Sequence, residues 1–568
     1  MKTRGVLLVV LPAVALLLGA APSLPEADDL VFAGGRVVDG TGAPAFTADV
    51  AVRGDRIAAV GLLPEARKAR ARRVVDARGL VVAPGFIDLL GQSEYNALVD
   101  RRAASKISQG ITTEVTGEGS SIAPLNARML ADGEDVWRRY GLRPDWTTLS
   151  GYFARFAKAP PTINLGTFVG LGGLRDLVLG KTDRRPTEVE MAAMESEVEQ
   201  AMDEGALGVS ASLQYVPDIW FTTDELVALG KVAARKGGVF FLHQRSESDR
   251  ILESLDEAFR IAREAGIPVD VWHLKTAYAR NHGRMREVLA RFEAARAQGL
   301  DVAASQYPWE AASNGLDACL PPWIREGGRE KLLARLADPA LRAKAKAEMA
   351  DPNGAWENQW LGAGAGAGVL VASVLDPKLK KFEGKRVTEI AAAEGKDPRD
   401  ALMDLVVADR ANSSGIHFIM SEDDVRLALA HRLVAFCTDS GAVAADGIYS
   451  EERSHPRAWG SATRILGKYV REEKLLPLEE AVRKMTSLPA ARARLWDRGI
   501  LRLGLAADVA VFDPARVRSV STYDEPLHYS EGVPFVAVNG ELVVDGGKIT
   551  PARPGRILKG PSALASRP

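Results

Sequence analysis

VFFLHQR (239–245), VDVWHLK (269–275) and VAFCTDS (434–440) are short runs of β-branched, aromatic and aliphatic residues that end in His243, His273 and Asp439. Apolar runs of this length, with helical patterns between them, read as buried parallel strands. His243 and His273 lie thirty residues apart, the length of one strand-plus-helix unit, so their strands are neighbours. In an α/β barrel the C-terminal strand ends form one rim, and residues distant in sequence meet there.

The same texture extends outward. VVAPGFIDLL (81–90), TTEVTGE (112–118), NLGTFVG (164–170), GVSASL (208–213) and DVAASQYP (301–308) complete a set of eight strands. Between them run helical patterns such as SDRILESLDEAFRIAREAG, where Ile251, Leu255, Phe259 and Ala262 recur at helical spacing and Gly266 ends the run. Eight strands alternating with helices predict a TIM-like (β/α)8 barrel over residues 83–496. No glycine fingerprint follows the first strand, which argues against a nucleotide-binding fold.

Short alternating strands flank the barrel on both sides, as in ADVAVRGDRIAAVG before it and AADVAVFDP and FVAVNGELVVDGGKIT after it. They predict one small β-sandwich assembled from 29–82 and 497–560. Residues 344–412, with the glycine-rich LGAGAGAGVL, break the barrel rhythm and predict a small inserted subdomain, with GIHFIM (415–420) returning the chain to the core. The final KGPSALASRP reads as a disordered tail.

Lys2 and Arg4, the apolar run Val6 to Leu18 and the small residues Gly19, Ala20 and Ala21 predict a signal peptide over 1–21, hence a secreted or periplasmic protein. The apolar run is shorter than the roughly 20 residues of a membrane span. With 73 basic and 74 acidic residues the net charge is -1, so nothing favours nucleic acid or an anionic membrane, and a small-molecule partner is expected. Two cysteines, Cys319 and Cys437, exclude a disulfide scaffold and read as buried packing residues.

Two imidazoles and a carboxylate at one rim suit zinc with a water at an open position, its pKa lowered to about 7. Asp439 would take the water's proton during attack on a carbonyl and return it to the leaving nitrogen.

The chain resembles the amidohydrolase superfamily, and most closely its D-aminoacylase group, the N-acyl-D-amino-acid deacylases. The resemblance is carried by APGFID, SKISQGITTEVTG, VWHLK, SQYPW, MSEDDV, TDS, HPRAWG, LGKYVRE, LEEAVRKMTSLPAARARLWDRG, LAADVAVFDP and VNGELVVDGG, in family order across nearly the whole chain. It implies cleavage of the amide C–N bond of N-acyl, D-series amino acids or related small amides. It also implies metal ligands at His243 and His273 and substrate-binding roles for Arg457, Lys275, Tyr215 and Ser313, with Arg457 on the substrate's carboxylate.

In that family a His-x-His pair follows GFID and a cysteine follows the second strand. Here those positions hold Leu90, Gln92 and Gly119. Leucine and glycine offer no ligand and glutamine a poor one, so one zinc ion is expected in place of two. Glu118, at a strand end, is the expected substitute for the cysteine, ahead of Glu94 in a loop. The alternatives to this reading are a catalytically inactive binding protein of the same fold, or a hydrolase of dipeptides, cyclic amides or cell-wall fragments.

Overall fold

The computed structural model describes residues 27–565; the expected signal peptide lies outside the described residues. The barrel strands are β1 (Phe86–Asp88), β2 (Ile111–Thr116), β3 (Asn164–Thr167, continued by Val169–Gly170) and β4 (Gly208–Ser212). They are followed by β5 (Val239–His243), β6 (Val269–Val271), β7 (Val302–Gln306) and β8 (Val434–Phe436). Every successive pair is parallel, and a parallel bridge between Gly91 and Ser440 joins the last strand to the first. All eight expected strands are present.

Strand alternation divides the side chains between two cores. Val239 and Phe241 of β5 point inward, where they meet Leu90, Val115, Phe168, Trp272, Tyr307, Ala435 and Cys437. Phe240 and Leu242 point outward under the helices, beside Ile251, Leu255 and Phe259. The barrel floor is therefore a packed aromatic plug, with Phe168 and Phe241 stacked at 4.6 Å. The next inward positions, His243 and Asp439, open to the rim.

The helix after β5 spans Ile251–Ala265 and ends at Gly266, whose φ of 64° is the left-handed stop that glycine allows. Helices Glu188–Glu204 and Thr223–Arg235 start on reciprocal capping boxes, Thr187 with Glu190 and Thr222 with Glu225.

The two terminal segments form one nine-stranded sheet, joined where Val81–Pro84 pairs antiparallel with Val509–Phe512. One face packs on a core of its own, including Phe32, Val50, Val82, Val509 and Val511. VVAPGFIDLL is thus two strands: its first half belongs to this sheet and its second to the barrel. The break falls at Gly85, where a Cβ would overlap the Thr112 side chain.

Three boundaries are corrected. The inserted subdomain is wider than 344–412, because its sheet comprises Ala311–Gly315, Ser414–Phe418 and Val369–Ser373 with Ser414–Phe418 in the middle. GIHFIM contributes that middle strand and does not return to the barrel. At the C-terminus Pro561–Ala565 is a helix, docked by Ser562 Oγ on Asp203 at 2.6 Å, where a disordered tail was expected.

Candidate metal centre and substrate cavity

A cavity of about 310 Å³ opens at the C-terminal rim, lined by Glu118, Tyr215, His243, Glu247, His273, Lys275, Ser313 and Asp439 among others. His243 is the last residue of β5. His273 and Asp439 follow β6 and β8 in left-handed backbone, with φ of 35° and 53°. Non-glycine residues in that region are strained, and such strain gathers at functional sites.

The two imidazoles converge on one oxygen. His243 Nδ1 lies 3.2 Å and His273 Nε2 3.1 Å from Glu118 Oε1, with the rings edge to face at 4.5 Å. Glu118, His243 and His273 are, among the described residues, the group whose ligand atoms lie close enough together to share a metal ion. Glu94 is not brought to them; burial pushes its carboxyl up to about 8.

Each imidazole is also held from behind. His243 Nε2 lies 3.0 Å from Gln214 Oε1, and His273 Nδ1 lies 3.1 Å from Glu247 Oε1. The Lys275 ammonium sits 2.5 Å from the same Glu247 oxygen. With the Lys275 ammonium also 2.8 Å from His273 Nδ1, these contacts leave His243 Nδ1 and His273 Nε2 facing Glu118, as the outer partners of a metal-binding histidine do. Gln214 and Glu247 are site residues that sequence reasoning missed; Gln214 lies in the loop after β4, and Glu247 lies in the wholly polar stretch 244–250, where nothing singles it out.

The charges explain the titration. Burial opposes ionisation of Glu118, but hydrogen bonds from His243 and His273 outweigh it and hold the carboxyl well below the usual range. Burial and the Lys275 ammonium oppose protonation of His273, while Glu247 and Glu118 outweigh both and lift it to about 9. Burial likewise opposes ionisation of Glu247, and Lys275 with the two histidines holds it down. Anionic carboxylates facing two imidazoles are a donor set that suits zinc.

Asp439 faces the trio from β8. Its Oδ2 accepts from Arg457 Nη1 at 2.6 Å, and its Oδ1 accepts from Gln92 Nε2 at 3.1 Å. Burial raises its pKa, with Arg457 pulling the other way and Glu118 adding to the rise. A carboxylate raised in this way is better matched to accepting a proton near neutral pH.

Tyr215 lines the cavity with its ring 4.9 Å from His243 and its hydroxyl accepting from Asn314 at 2.8 Å. Lys275 and Ser313 also line it. Arg457 starts the helix Arg457–Arg464 and stands behind Asp439, its Nη2 donating to the Ser313 carbonyl at 3.2 Å and its guanidinium over the Tyr307 ring.

Leu90 is buried in the barrel plug. Gly119 has a φ of 62°, and a Cβ there would lie 2.5 Å from Ser212 Oγ and 2.9 Å from Asp218 Oδ2. The space of the family's cysteine is thus already occupied.

Residues 385–544 match the model of an amidohydrolase family. The D-aminoacylase of Alcaligenes xylosoxydans xylosoxydans is 35% identical over 93% of this chain and 97% of its own. The N-acyl-D-glutamate deacylase of Bordetella bronchiseptica, solved with zinc and a phosphonate that mimics the tetrahedral intermediate, superposes with a TM-score of 0.77 at 33% identity, covering 94% of this chain and 100% of its own. A D-aminoacylase structure that describes one-metal activation and second-metal attenuation of a binuclear centre gives 0.76 at 34% identity with the same coverage.

Proposed function

Because the chain belongs to the D-aminoacylase group of the amidohydrolase superfamily, and so acts on carbon–nitrogen bonds other than peptide bonds, we propose that it deacylates N-acyl-D-amino acids with a single zinc ion. The observation that carries the proposal is the convergence of His243 Nδ1 and His273 Nε2 on Glu118 Oε1.

Glu118, His243 and His273 would hold the ion. An ion there would supply Lewis-acid polarisation of the substrate carbonyl and would lower the pKa of a water. Asp439 takes the proton at Oδ1 and passes it to the departing nitrogen, while Arg457 keeps its other oxygen fixed. Lys275, on the cavity wall, supplies positive charge for the substrate's carboxylate, while Arg457 stands behind Asp439 and holds it. Tyr215 and Ser313 flank the amide. The preference for the D series is supported by relatives named as deacylases of N-acyl-D-aspartate and N-acyl-D-glutamate, and export by the leader-like sequence 1–21.

The test pairs metal analysis with a panel of N-acetyl-D- and N-acetyl-L-amino acids. Stoichiometric zinc and hydrolysis of D-substrates are expected, with Asp439→Asn keeping the metal and losing about 10²–10⁴-fold in kcat. A protein that takes up no transition metal, or an Asp439→Asn variant of undiminished rate, would overturn the proposal.

A further inference from the structure

Gln92 occupies a position where glutamine is a poor metal ligand, yet its side chain is not idle. Nε2 lies 3.2 Å from Glu118 Oε2 and 3.1 Å from Asp439 Oδ1. A primary amide carries two hydrogens, and the two carboxylates take one each. Glu118 presents its other oxygen, Oε1, to both imidazoles, and Asp439 presents its other oxygen to Arg457. The amide thus bridges the anionic groups that face each other across the cavity. Two carboxylates so placed repel, and a cation between them is the usual remedy.

We propose that Gln92 takes the place of a second metal ion: its amide fixes the rotation of both the Glu118 and Asp439 carboxylates and holds the site to one zinc. The inference rests on the single-zinc reading above. Gln92 is a positioning residue, acting through Glu118 on the ion and through Asp439 on the proton.

Its backbone is fixed for the task. The Gln92 N–H donates to the Ser440 carbonyl at 3.2 Å, and the Gly91 N–H to the Val115 carbonyl at 2.8 Å, which ties this strap to the strand ends that carry Asp439 and Glu118. Residue 91 must be glycine, because a Cβ there would fall on the Glu114 carboxylate. Glu114 in turn accepts from the Ser93 N–H and hydroxyl at 2.8 Å each, fixing the other side of Gln92.

The experiment measures zinc affinity by competition with a chromophoric chelator, zinc content by elemental analysis, and kcat and KM separately. In Gln92→Leu, zinc affinity should fall by about tenfold or more, the scale of lost outer contacts to metal ligands, with kcat reduced and KM within about twofold. In Gln92→Glu, a third carboxylate replaces the amide and the protein should take up a second equivalent of zinc. Gln92 is exposed to the cavity, so both variants should fold, which a cooperative thermal transition checks. Wild-type zinc affinity in Gln92→Leu, or a Gln92→Glu variant that stays at one equivalent, overturns the inference alone. A wild-type protein that takes up no zinc overturns it together with the proposed function.

Discussion

Replacing Glu118 by glutamine tests the centre most directly, because the side chain keeps its shape and loses its charge. Oε1 is the oxygen on which both imidazoles converge, and the carboxyl is ionised at neutral pH. A protein zinc site of about 10–16 kcal/mol, shared over four positions, gives roughly 3 kcal/mol per ligand, or about 10²-fold in zinc affinity. Chelator competition on Glu118→Gln should therefore show zinc dissociation weakened by two orders of magnitude or more, with kcat lost in step at limiting zinc. Adding Gly119→Cys should not rescue it, since the new Cβ would lie 2.5 Å from Ser212 Oγ in a backbone of φ 62°. Wild-type zinc affinity in Glu118→Gln would refute the assignment, and rescue by Gly119→Cys would refute the packing argument.

Two further outcomes are expected. Glu247→Gln should weaken zinc by about 10–100-fold, because the acceptor that orients His273 loses its charge; equal affinity by chelator competition would show that Glu247 serves Lys275 alone. His417, fully buried, is held by burial at about 4 against an ordinary 6.5. Below pH 6.5 the unfolded chain takes a proton that the folded chain refuses, so stability falls between pH 6.5 and 4, by up to about 3 kcal/mol. Urea unfolding of His417→Phe should show a shallower loss between pH 7 and 4.5, and an unchanged slope would count against His417 as the cause.

The barrel was legible because its strands are buried on both faces and read as continuous apolar runs, and the inward alternation that places Val239 and Phe241 in the plug brings His243 to the rim. What stayed illegible depended on contacts distant in sequence. The split of VVAPGFIDLL is decided at Gly85 by Thr112, and AASNG (311–315) carries no strand signal until Ser414–Phe418 pairs with it. Glu247, Gln214 and Gln92 are polar loop residues, and their roles follow only from where each loop returns to the rim. The motif implies a substrate anchor at Arg457; its hold on Asp439 depends on a helix start 18 residues further along.

The departures from the family's ligand pattern are coupled to one another. Lys106, fully buried, sits 2.7 Å from Asp88 and 3.1 Å from Glu114 and donates to the Ser440 carbonyl at 2.7 Å. Asp88 accepts from the Thr438 N–H at 2.8 Å. One buried ion cluster therefore clamps the residues on both sides of Asp439 and, through Glu114, requires glycine at 91 beside Gln92. At the next strand end, Ser212 and Asp218 require glycine at 119 beside Glu118. Removing one partner of a buried ion cluster leaves an uncompensated charge at about 3–5 kcal/mol. At 90 and at 119 a substitution toward the two-metal pattern meets no empty space. Restoring a histidine pair at 90 and 92 would require moving the barrel plug and releasing the Gln92 bridge at once, so the one-ion arrangement is a self-consistent packing solution and not a two-ion site with parts missing.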